Sequence, residues 1–180
     1  MTGLDDQTLV QRALRADPES FGELCRRYYP ALVAMADSIL LDHHLAEDAA
    51  QEALAEACRG LKRLRRPESF GSWLGSICRN VAKDMLRQLP KQRNLGRDPP
   101  RQEPACEADY RAAALTEAVQ QLPPHQREVI FMRFYNEMSY RQMAKVLGST
   151  EQTIDGRLRR AKKSIAAYLR RKGLGSHGVL

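Results

Sequence analysis

From Ile154 onward, apolar residues return at Leu158, Ala161, Ile165 and Leu169, three or four positions apart, with basic and polar side chains between them. That spacing predicts an amphipathic helix. Asp155-Gly156 lies inside the pattern and is a strong two-residue turn signal. A hairpin, however, needs alternating apolar strands on both sides, and "RLRRAKKSIAAYLRRK" has no such alternation. Strand patterns are almost absent from the rest of the chain, and helix patterns recur throughout.

Asp17-Pro18-Glu19 reads as an N-cap, a proline at the first helical position and an acid in the first turn. The helix it opens runs toward Leu41, with Pro30 as a kink. A second helix fits residues 44 to 66 before Pro67, and a third fits 72 to 89 before Pro90. Residues 90 to 108 hold four prolines and few large apolar side chains, so they read as a flexible linker. Beyond it, short helices are expected over 109 to 121, over "HQREVIFMRFYNE" and over "SYRQMAKVL". Ser139-x-x-Gln142 forms a capping box for the last of these, and Gly148 supplies a left-handed stop. Ser149-x-x-Gln152 or Thr150 then caps the final basic helix. A helix, a short turn with glycine and a capped basic helix follow helix-turn-helix order. The expected fold is all-α: a domain over 1 to 89, the linker, a helix-turn-helix domain over 109 to 172, and a tail over 173 to 180.

Charge sharpens this division. The 180 residues carry a net +7, but residues 1 to 90 hold 12 Lys/Arg against 13 Asp/Glu. Residues 111 to 180 hold 13 against 5, a net of +8, as expected of a segment facing a polyanion. No apolar run approaches the roughly 20 residues needed to cross a bilayer. The first residues lack a basic and then apolar signal region, so a cytoplasmic protein is expected. Cys25, Cys58, Cys78 and Cys106 show no zinc or redox spacing, and the first three read as small buried hydrophobes. His43, His44, His125 and His177 offer no metal site. No acid/base pair, nucleophile or phosphate loop points to an enzyme.

With Ile154, Leu158 and Ala161 facing a core, Gln152, Thr153, Gly156, Arg157 and Arg160 face outward. Gln and Arg can read base edges bidentately in a major groove, and Thr can add a methyl or hydroxyl contact. Arg159, Lys162 and Lys163 are placed for phosphates. In the first domain Arg79, Lys83 and Arg87 recur every four residues as a basic ridge. Phe70 and Trp73 lie near it, with Ser69, Ser72, Ser76 and Asn80. Basic groups, aromatics and small polar groups suit single-stranded or melted nucleic acid. The alternative is that Phe70 and Trp73 are core residues and the ridge is merely solvated. Asp48, Glu52 and Glu56 form an acidic face with Gln51 beside it, which suits a basic protein partner or plain solvent.

Three stretches together resemble bacterial RNA polymerase sigma factors of the extracytoplasmic-function (ECF) type, in the sigma-70 family. "HLAEDAAQEALAEACRGLKRLR" is similar to that family's polymerase-binding helix, and "ESFGSWLGSICRNVAKDMLR" to its promoter-melting segment. "LPPHQREVIFMRFYNEMSYRQMAKVLGSTEQTIDGRLRRAKKSI" is similar to its fourth conserved region. The resemblance implies a protein that binds core RNA polymerase, directs it to promoters and helps open the minus-ten element. Asp48, Gln51 and Glu52 would meet the clamp of the largest subunit. Ser69, Phe70, Trp73, Ser76, Arg79 and Asn80 would act on the minus-ten element, with flipped bases near Phe70 and Asn80. Lys83 and Arg87 would track the backbone. Reading of the minus-thirty-five element would fall to Arg141, Thr150, Gln152, Thr153, Gly156, Arg157, Arg159, Arg160, Lys162 and Lys163, on a domain that also sits on the polymerase flap. No cofactor is implied, and a separate anti-sigma factor is, with a monomer in the free state.

The departure from the family lies at Asp155-Gly156, where a basic or small polar residue and then serine are usual. Two other readings stay open at this point: a sigma-like decoy for an anti-sigma factor, and a stand-alone helix-turn-helix regulator.

Overall fold

The computed structural model describes residues 4–89 and 107–174, and among these it contains helices and turns but no strand. Eight α-helices run in order: α1 (Asp6–Leu14), α2 (Pro18–Leu40), α3 (His43–Gly60), α4 (Phe70–Gln88), α5 (Glu107–Gln120), α6 (Pro124–Ile130), α7 (Tyr140–Leu147) and α8 (Glu151–Arg171). Two 3-10 turns, Leu61–Arg63 and Pro67–Ser69, join α3 to α4, and a π-type turn, Phe131–Tyr135, follows α6.

Local chemistry sets most boundaries. Asp17 caps α2 by accepting from the backbone N–H groups of Glu19 and Ser20, with Pro18 at the first position. Asp42 does the same for α3 through His44 and Leu45. The capping box of α7 is complete: Gln142 N–H donates to Ser139 Oγ at 3.2 Å, and Ser139 N–H donates to Gln142 Oε1 at 2.8 Å. Gly148 ends that helix at φ 59°. Thr150, not Ser149, caps α8, as its Oγ1 accepts from Thr153 N–H.

Several boundaries differ from expectation. The second helix ends as α-helix at Gly60, where the indole of Trp73 packs 3.6 Å from the position of a missing Cβ, and continues only as a 3-10 turn. The helix expected at 72 begins at Phe70. Glu107 already starts α5, so the last two positions of the expected linker are helical; residues 90–106 lie outside the described residues. Gly173 and Leu174, expected as tail, instead close α8. Gly173 stands at φ 76°, Leu174 N–H donates to Leu169 O, and Leu174 is buried, a Schellman ending.

Helices α2, α3 and α4 pack around Leu24, Leu32, Met35, Leu74 and Cys78, with α1 adding Leu9 and Val10. Helix α3 contributes mainly alanines, Ala46, Ala49, Ala50, Ala53 and Ala57, all fully buried, which lets its neighbours approach closely. Burial pushes the Cys78 thiol up to about 12, as for a packed hydrophobe. Cys25 is half-buried, but Cys58 is exposed, contrary to expectation, because it falls one position past the alanine stripe. The second domain closes over Val129, Ile130, Met132, Met143, Val146 and the α8 stripe Ile154, Leu158, Ala161, Ile165 and Leu169. Tyr168 Oη and Lys172 Nζ both reach Glu117 on α5, at 2.7 and 3.0 Å.

The two domains also touch each other. Helix α4 lies against α7, while α2 meets α6 and the π-type turn.

Candidate nucleic-acid interface

Helix α8 presents the expected face. Its apolar stripe is buried, which leaves Gln152, Thr153, Arg159, Arg160 and Lys163 exposed and Gly156 and Arg157 half-exposed. Thr150 and Arg141 are exposed beside it, Arg141 on α7. Some of these side chains are already held. The Thr153 and Thr150 hydroxyls lie 2.9 Å apart. Arg159 Nε lies 3.2 Å from Asp155 Oδ2, one turn back. The Lys162 ammonium sits over the Phe134 ring, 5.1 Å from its centroid, so it is not freely extended.

The cluster expected on α4 is brought together only in part. Asn80, Lys83, Arg87 and Ser76 are exposed. Arg87 pairs with Asp84 at 2.6 Å, and Ser76 Oγ donates to Ser72 O at 2.9 Å. Ser69 is half-buried, and its carbonyl accepts from Ser72 Oγ. Phe70 contradicts its expected role in capturing a base. It is 1% exposed and meets Tyr28 edge-to-face, with ring centroids 5.4 Å apart. The physical reason is its register with Leu74 and Cys78, four and eight residues on, which places all three on the buried face of α4. Trp73 is half-buried, tilted against Phe70 at 6.0 Å and packed on Gly60.

Arg79 departs from the open ridge as well. Its Nε and Nη2 each donate to Glu128 Oε1 at 3.2 Å, across to α6 in the other domain. Glu128 is only 8% exposed, and burial raises its carboxyl above the ordinary value although Arg79, Arg157 and His125 oppose the rise.

Asp48, Gln51 and Glu52 are all exposed along α3, on the side away from its alanine stripe. Glu52 accepts from Arg59 at 2.8 Å, and Asp48 and Gln51 face solvent.

The sequence reading missed one polar centre. Asp6, on α1, receives Tyr28 Oη, Arg27 Nη1 at 3.1 Å and the Lys145 ammonium from α7. Burial pushes its carboxyl upward, but the hydrogen bonds from Lys145, Tyr28 and Arg27 outweigh this and hold it below the usual carboxylate value. The available signal was Asp5-x-x-Thr8 ahead of Leu9-Val10, a capped helix start.

Comparison with known proteins finds relatives for both halves of the chain. The model of sigma-70 region 2 matches residues 24–92, and that of sigma-70 region 4 matches residues 112–165. The RNA polymerase sigma-H factor of Pseudomonas aeruginosa is 28% identical, over 92% of this chain and 94% of its own. The ECF RNA polymerase sigma factor SigM of Mycobacterium tuberculosis is 28% identical over 91% of this chain and 84% of its own. Among solved structures, CnrH in complex with the cytosolic domain of CnrY matches with a TM-score of 0.61 at 26% identity, covering 92% of this chain and 97% of that one.

Proposed function

The chain belongs to the sigma-70 family of RNA polymerase sigma factors, in its ECF branch, and from that membership we propose that it binds core RNA polymerase, directs it to promoters and helps open them. The observation that carries this reading is the pairing, in one chain, of two polar helix faces with different chemistry. Helix α8 exposes Gln152, Thr153 and Arg160 over a buried stripe, as a major-groove reader requires. Helix α4 exposes Asn80, Lys83 and Arg87 at three- and four-residue steps, a row fitted to a separated strand and its phosphates.

In this reading α8, with Arg141 and Thr150 beside it, takes the minus-thirty-five element. Arg157 and Arg160 read bases, and Arg159 and Lys163 hold phosphates. Asn80 captures a melted minus-ten base, with Trp73, Ser69 and Ser76 lining its approach. Asp48, Gln51 and Glu52 offer the polymerase an exposed acidic face. A separate anti-sigma factor is the further partner, in keeping with a structural relative solved with a second protein bound. The chain acts in the cytoplasm, and none of its described helices is long and apolar enough to cross a membrane. The decoy reading rests on Asp155-Gly156, and of that pair the Asp155 carboxylate is partnered by Arg159 within the same helix.

The direct test is gel filtration of the chain with core polymerase. A one-to-one complex is expected, and Asp48→Lys with Glu52→Lys should abolish it. Failure of the wild-type chain to co-elute would remove the proposal.

A further inference from the structure

Cys25 on α2 and Cys58 on α3 lie at one level of the hairpin that these two helices form. Only Leu41 and Asp42 separate the helices, which therefore run antiparallel and pack on each other. Cys25 stands fifteen residues before Leu40, and Cys58 fifteen residues after His43. At a rise of about 1.5 Å per residue, both are about 22 Å from the turn. Each cysteine also follows a fully buried residue, Leu24 or Ala57. In antiparallel helices, one step past the inward residues turns both side chains toward the same edge, about 100° round each axis.

That edge is accessible. Cys58 is exposed and Cys25 half-buried, and both are free thiols. A cleft of about 340 Å³ lies there, lined by Cys58 with Ala13, Leu14, Phe21, Leu61 and Lys62. Phe21 is one turn before Cys25 on α2. Burial pushes the Cys25 thiol above its ordinary value, and the neighbouring Cys58 adds to the rise. Cys78 differs from both, since it is fully buried and its Sγ donates to Leu32 O at 3.4 Å.

We propose that Cys25 and Cys58 form a peroxide-responsive disulfide site that reversibly staples α2 to α3. The Cys58 thiolate, the accessible one of the two, attacks one oxygen of hydrogen peroxide. An S–O bond forms as the O–O bond breaks, and the departing hydroxide takes up a proton and leaves as water. Cys25 then attacks the Cys58 sulfenic acid. The S–S bond forms as the S–O bond breaks, and the leaving hydroxide carries off the Cys25 proton as a second water. The two thiols lose two electrons, and the peroxide gains them. Exposure makes Cys58 the sulfur that meets oxidant, and the half-buried Cys25 resolves it. A disulfide needs Cα atoms about 4.4–6.8 Å apart, and the small alanines that α3 buries favour such close approach. The bond fixes α3, with Asp48, Gln51 and Glu52, against α2 at the end that the Leu41-Asp42 turn does not hold. In a reducing compartment such a bond is transient, which suits a sensor of oxidant rather than a permanent brace.

The test treats the reduced full-length chain with hydrogen peroxide and maps its bonds by mass spectrometry. A Cys25–Cys58 bridge should outnumber every bond to Cys78 or Cys106, form at a rate independent of protein concentration, and revert with dithiothreitol. The bridged chain should melt at a higher temperature than the reduced one. Cys58→Ser, at an exposed position, should abolish the bridge, and Cys106→Ser should leave it intact. In Cys25→Ser, dimedone should capture a sulfenic acid at Cys58; circular dichroism checks that this variant keeps its helices, and the wild-type bond map stands apart from it. Bonds made mainly through Cys106, dimers joined at Cys58, or a Cys58 that stays a thiol or an unbridged sulfenic acid in the wild-type chain would overturn the site. A bridge that leaves the melting temperature unchanged would overturn the staple.

Discussion

Asp155 and Arg159 stand one turn apart on α8, with Oδ2 and Nε 3.2 Å from each other, both on the solvent side of the helix. If α8 faces DNA as proposed, this pair occupies the arginine assigned to a phosphate. Asp155→Asn should therefore free Arg159, raise affinity for duplex promoter DNA and make the slope of log K against log salt more negative by about 0.9, one added phosphate contact. Salt-titrated binding of the polymerase complex measures this. An unchanged slope would mean that Arg159 does not reach the backbone.

Gly156 sits beside that pair, and an added methyl there would meet only the Arg160 guanidinium nitrogens, 3.8 Å away. Gly156→Ala should stabilise α8 by about 1 kcal/mol and raise the melting temperature. If the missing side chain serves close approach to bases, the same variant weakens minus-thirty-five binding. Calorimetry and a duplex binding assay on one preparation separate the two effects, and weaker binding with higher stability is expected.

Phe70 and Asn80 lie within one helix but call for opposite outcomes. Phe70→Ala should cost about 3–5 kcal/mol by opening a core cavity, which would be seen as early thermal unfolding of the first domain. Asn80→Ala leaves the melting temperature near wild type and lowers open-complex formation more than initial polymerase–promoter binding. Permanganate footprinting beside a filter-binding assay distinguishes them. Equal loss in both assays for Asn80→Ala would count against its melting role.

Asp6 ties α1 and α2 to α7, and its folded-state acidity is held below the ordinary value by Lys145, Tyr28 and Arg27 despite burial. Its ionised form therefore contributes stability that is fully present above about pH 4 and is lost as pH falls through the lower folded value. Asp6→Asn should be less stable than wild type at neutral pH, and the gap should narrow on acidification from pH 5 to 3. Thermal melts across that range provide the check, and a constant gap would show that the carboxylate charge is not what Asp6 contributes.

Features written within a few residues of sequence were legible. The Ser139–Gln142 box, the left-handed Gly148 and the Pro18 start are local chemistry, and the structure places each where the sequence does. The α8 stripe was legible from periodicity alone. Phe70 was not, because its aromatic character next to a basic row competes with a weaker signal, the Phe70, Leu74, Cys78 recurrence that sends it inward. Helix α1 was overlooked because its apolar content is short and its cap sits among acids. The contact between the two domains could not be read at all. Arg79 and Glu128 are 49 residues apart and Asp6 and Lys145 are 139 apart, so no local pattern joins them.

The central claim is that this chain gives core polymerase its promoter choice. In vitro transcription with core polymerase on fragmented genomic DNA, with start sites mapped, tests it most directly. Discrete starts sharing paired upstream elements should arise only when both components are present, and Arg157→Ala should shift or weaken them. Starts that are the same with and without the chain, or tight duplex binding by the chain alone at palindromes, would contradict it.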